Sequence, residues 1–78
     1  MRDKQLRLHA SMRAAEFQWN AAHAYGQVVG YRQLYENEDD SAPMRAYFLR
    51  EVKYHAEQQA FFNKLSRFYL LALLEDNT

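Results

Sequence analysis

Residues 41 to 74, SAPMRAYFLREVKYHAEQQAFFNKLSRFYLLALL, carry two columns of rings at a spacing of seven: Tyr47, Tyr54, Phe61 and Phe68, and beside them Phe48, His55, Phe62 and Tyr69. On a helix, adjacent positions stand about 100° apart, so the two columns bound one wide face. Glu51, Gln58, Leu65 and Ala72 fall within that face, whereas Arg50, Lys53, Glu57, Lys64 and Arg67 fall on the opposite side. The stretch therefore reads as one long amphipathic helix with a sticky aromatic face and a solvated back.

Upstream of it, ENEDDSAP at residues 36–43 is the one turn signal in the chain. Asn37 is suited to the left-handed conformation that closes a helix, and Asp40 or Ser41 to capping the next one. Pro43 belongs in a first helical turn, where its missing N–H costs little. Asp39 and Asp40 put negative charge at the positive end of the second helix.

Further upstream, residues from about 3 to 36 hold no proline and no turn cluster, and their apolar residues follow two tracks. Leu8, Met12, Ala15, Trp19, Ala22, Gly26 and Val29 form the first. Ala10, Ala14, Phe17, Ala21, Ala24, Val28, Tyr31 and Tyr35 form the second, nearly opposite on the wheel. A helix apolar on two sides needs two neighbours, and a hairpin supplies one. Gly26 and Gly30 each cost a helix interior about 1 kcal/mol relative to alanine. Close approach of another backbone or of a ring such as Tyr47, Phe48 or Tyr54 would justify them, and a break near Val28 to Tyr31 is the alternative.

The expected fold is all-α: helix one over about residues 3–36, a turn at 37–42 and helix two over about 42–75, in a single domain spanning 1–78. A short turn makes the helices antiparallel and brings together residues whose numbers sum to about 79. Phe17 then meets Phe62, Trp19 lies near Ala60, Gly26 near Lys53 and Tyr54, and Leu8 near Leu71. A chain of 78 residues buries too little alone, so a second hairpin is expected. It would pack on the second track and the broad aromatic face to make a homodimeric four-helix bundle. Phe17, Trp19, Val28, Tyr54, Phe61, Phe62, Leu65 and Phe68 are the expected hairpin or dimer core. The architecture resembles the helical-hairpin dimers of the Rop kind, a likeness of shape without a shared motif.

Chemistry is sparse. With no cysteine and three histidines, neither a disulfide framework nor a zinc-ligand spacing appears. Glu51, His55 and His23 are the one cluster the hairpin register could assemble, and Gln58 and Gln59 beside it read as register-setting polar groups. No nucleophile paired with a base, no phosphate loop and no nucleotide fingerprint is present, so neither an enzyme nor a cofactor is expected. Ten basic residues balance ten acidic ones, which argues against a general polyanion binder. The amino-terminal stretch lacks the apolar centre of a secretory signal, and the apolar run 68–74 is too short to span a bilayer, so a cytoplasmic protein is expected.

Toward the end of helix two the solvated back turns apolar: Leu71 and Leu74 take the wheel positions of Lys64 and Arg67. Those four residues are the candidate partner-binding patch, unless the Leu6 to Met12 region covers it. The functional expectation is a protein-binding regulator or inhibitor that occludes a surface of its target. The alternatives are a Rop-like nucleic-acid binder using the basic end near Arg2, Lys4, Arg7 and Arg13, and a structural subunit of a helical assembly.

Overall fold

A computed structural model describes residues 4–76 as two α-helices, α1 (Lys4–Asn37) and α2 (Pro43–Asp76), packed along their length as an antiparallel hairpin. Its Cα envelope measures 58 × 14 × 12 Å, as two 34-residue helices side by side require. α1 runs unbroken through Gly26 and Gly30, so the three-helix alternative is overturned.

The turn is built differently from the expectation. No non-glycine residue among those described has a positive φ, so Asn37 does not close α1 in the left-handed conformation. The chain instead tightens through Glu38 N–H donating to the Tyr35 carbonyl at 3.4 Å and Ala42 N–H to the Asp39 carbonyl at 3.0 Å. Asp40 pairs with the Arg45 guanidinium at 3.3 Å, and that guanidinium lies 4.0 Å over the Tyr35 ring. Pro43 opens α2, where no N–H is needed.

Four contacts fix the register. Phe17 stacks on Phe62 with centroids 6.2 Å apart, Tyr31 packs on Phe48 at 6.3 Å, Arg45 covers Tyr35, and the Ser66 hydroxyl donates to the Ala14 carbonyl at 3.0 Å. Each pair of numbers sums to 79 or 80. Because both helices repeat every seven residues, the same sum recurs along the seam and sets Ala21 against Gln59, Ala24 against His55 and Val28 against Val52. Small residues on α1 thus face larger ones on α2 at Ala10, Ala21 and Ala24, rings or long side chains meet at Phe17, Tyr31 and Tyr35, and Ala10, Ala14, Ala21 and Ala24 are the buried apolar residues. Where both partners are small, at Ala14 and Ser66, the helices come close enough for a direct side-chain to backbone hydrogen bond.

The second track of α1 is therefore spent inside the hairpin, against the column Phe48, His55, Phe62 and Tyr69, and is not available to a second copy. The first track points away from α2. Leu8 and Leu71 share a level yet are both exposed, and Trp19 stacks on His23 of its own helix at 5.6 Å instead of reaching Ala60. Gly26 and Gly30 have nothing within 4 Å of where a Cβ would stand, so no approach by α2 or its rings explains them.

Candidate functional site

Beyond the seam the hairpin has two broad sides, and on the helical wheel each draws residues from both helices. On one, the column Tyr47, Tyr54, Phe61 and Phe68 stands outside the seam, its rings between 37% and 64% exposed. Half-buried Leu65 and exposed Met44 lie between this column and the seam, and α1 contributes Leu6, Arg13, Asn20, Gln27 and Leu34. This is the aromatic face. A depression of 280 Å³ beside it is lined by Gly26, Gln27, Gly30, Tyr31 and Leu34.

The other side is aliphatic and small. It carries Leu8, Ala15, Ala22 and Val29 from α1 and Leu49, Ala56, Ala60, Leu70 and Leu74 from α2. Midway along, a groove of 360 Å³ is lined by Gln18, Ala21, Ala22, Tyr25, Gln59 and Asn63.

The expected core residues divide between these settings. Phe17, Val28 and Phe62 are half-buried at the seam, and Leu65 is half-buried beside it. Tyr54, Phe61 and Phe68 are exposed on the aromatic face, and Trp19, at 68% exposure, stands on the outer back of α1. The difference between Phe61 and Phe62 is one helical step of about 100°, enough to carry a ring from the seam to water.

Of the ionisable cluster, the structure joins two members and leaves out the third. His55 Nε2 and Glu51 Oε2 lie 3.3 Å apart, and the imidazole stacks on Tyr31 at 5.5 Å, while His23 is held against Trp19. Tyr31, in sequence only one member of the second apolar track, organises this region by touching Tyr47, Phe48 and His55 at once. The Glu51 carboxylate, together with a side-chain hydrogen bond to Tyr31, pushes the Tyr47 phenol above its ordinary value. Among the described residues no group of histidine and acidic side chains could hold a metal ion. The arrangement fixes the rings of Tyr31, Tyr47, Phe48 and His55 against one another.

At the terminal end of α2, Leu71 and Leu74 are 51% and 62% exposed, and Lys64 and Arg67 are exposed one heptad earlier. Leu8 and Met12 of α1 are equally open, so the Leu6 to Met12 region does not cover the patch within the hairpin. Leu70, which sequence reasoning passed over, belongs to the same apolar end. Arg2, part of the basic end in sequence, lies outside the described residues. No described helix is long and apolar enough to cross a membrane.

No family model, curated protein or solved structure matches the chain.

Proposed function

We propose that this chain is a small non-enzymatic cytoplasmic regulator or inhibitor which pairs as a homodimeric four-helix bundle and occludes a surface of a partner protein. Pairing is supported by surface area. The hairpin exposes 6164 Å², whereas a compact monomer of its 9.3 kDa exposes about 5,000 Å². The excess, about 1,200 Å², exceeds the roughly 800 Å² that each partner gives to a standard interface. Among the described residues no large side chain is fully buried, so the hairpin has little core of its own.

The observation that carries the partner-binding reading is the uncovered end of the hairpin. Leu71 and Leu74 stand beside Lys64 and Arg67, a leucine patch with a cationic edge. That combination suits a protein target with an apolar ridge bordered by acidic residues, because the leucines supply area and the cations steer and orient. The test is capture by the tagged, otherwise unaltered protein from a lysate of its host, with and without nuclease, beside the Leu71→Glu, Leu74→Glu double variant. A stoichiometric protein retained through nuclease and lost with the double variant supports the reading. Nucleic acid that is retained, and released by nuclease, would replace it with the Rop-like alternative.

A further inference from the structure

We infer that the aromatic face is covered by a second copy of the chain turned end for end, with the two-fold axis near Asn20 of α1 and the Gln58 to Phe61 turn of α2. The inference rests on the self-association reading above and adds the face and the orientation.

The face follows from where the exposed apolar area lies. Tyr47, Tyr54, Phe61 and Phe68 form a continuous ridge along α2, and large rings contribute most of the area a helical interface buries. The aliphatic side offers mainly alanines along its middle, with its leucines gathered toward the terminal end. Beside the ridge, the depression lined by Gly26, Gly30 and Leu34 has open space at both glycines, and the hairpin itself gives no reason for either. A second chain packed there supplies one: in an end-for-end pair centred on Asn20, Gly30 lies level with Ala10 of the second copy, next to its His9, and Leu34 with its Leu6.

The orientation follows from charge. By sequence, the turn end, residues 32–45, carries four acidic and two basic side chains, and the terminal end, residues 2–16 and 64–76, carries six basic and four acidic. The central stretch of α2 is balanced. Each hairpin is thus a charge dipole about 50 Å long. A two-fold axis along the bundle would set acidic turn on acidic turn and basic end on basic end. An axis across the bundle sets each acidic turn beside the other copy's basic end, which is attractive at separations near the Debye length of about 10 Å. It also runs α2 antiparallel to its own mate, so the ring ridges of the two copies pass one another over their full length. The leucine patches are then left on outer faces at opposite ends of the dimer, two per assembly.

The chain has no cysteine, so single cysteine variants of the full-length protein report the geometry directly. Spin labels on Glu38→Cys, in the exposed turn, lie about 50 Å apart in the end-for-end dimer, the length of 34 helical residues at 1.5 Å each. With both turns at one end they lie about 10–20 Å apart, the scale of one or two helix spacings, and that result overturns the orientation. A short-arm thiol crosslinker joins Asn20→Cys into covalent dimers and leaves Ala22→Cys, on the aliphatic side at a similar level, as single chains. The reverse pattern overturns the choice of face while leaving self-association intact. A one-chain mass for both variants and for the unmodified protein takes down the self-association reading itself, and this proposal with it.

Discussion

Phe61 and Phe62 are neighbours in sequence, yet alanine at each should fail in a different way. Phe62 is half-buried in the seam and stacked on Phe17 at 6.2 Å. Its loss removes a contact internal to the hairpin, and Phe62→Ala should cost about 3 kcal/mol of folding stability, the low end for phenylalanine truncation because the site is partly open. Phe61 is 53% exposed in the hairpin. A phenylalanine presents roughly 200 Å² to burial, so about 100 Å² of this ring remains for an interface. At about 25 cal/mol per Å² that is about 2.5 kcal/mol for each ring, and a symmetric dimer loses two rings, or about 5 kcal/mol. Phe61→Ala should therefore weaken self-association by roughly three to four orders of magnitude, at about 1.4 kcal/mol per factor of ten. Sedimentation equilibrium over a concentration series reads the dissociation constant, and circular dichroism at high protein concentration reads the helical content that survives. An unchanged dissociation constant for Phe61→Ala would refute the assignment of this ring to an interface.

Three further outcomes are expected. Leu71→Glu with Leu74→Glu leaves the dimer folded by mass and melting and abolishes retention of the partner protein; a dimer that falls apart instead would make the patch core. Ser66→Ala shifts stability by less than about 1 kcal/mol, because the Ala14 carbonyl keeps its helical hydrogen bond and alanine is the better helix former. Ser66→Leu, in contrast, forces the closest level of the seam apart and costs about 1–3 kcal/mol, as urea denaturation would show. Finally, the phenol of Tyr47 titrates above its ordinary value, chiefly because of Glu51. Its contribution to stability is fully present below the unfolded value near 10 and is lost as pH rises through the raised folded value. Glu51→Gln should lower the midpoint read from the ring-carbon resonance of Tyr47, and an unmoved midpoint would show that the carboxylate is not the cause.

Much of the hairpin was legible because both helices obey a strict period of seven. Residues 10, 14, 17, 21, 24, 28, 31 and 35 on one side and 48, 55, 62 and 69 on the other could be matched by a single number, and the Phe17 to Phe62 stack is that number observed. What periodicity could not decide was which of two opposed apolar tracks faces α2, since both satisfy the same repeat. The answer lies in side-chain volume. Four alanines in the second track let the helices close until Ser66 reaches the Ala14 backbone, whereas the first track carries Trp19 and Met12, which would hold them apart. The turn was misjudged for a local reason: Asn37 permits a left-handed close without requiring one, and the Asp40 to Arg45 pair with its stack on Tyr35 organises the corner instead. The candidate patch at Leu71 and Leu74 was visible as a break in the polar back, and its exposure could be judged only after the first track was found to face away from α2.

If the hairpin pairs with a second copy as proposed, the mass of the unmodified protein in solution must show it. Light scattering coupled to size-exclusion chromatography, run from micromolar upward, should give twice the 9.3 kDa of one chain. A folded, monodisperse species of one-chain mass across that range would show that the hairpin is stable alone and that its exposed rings need no second copy.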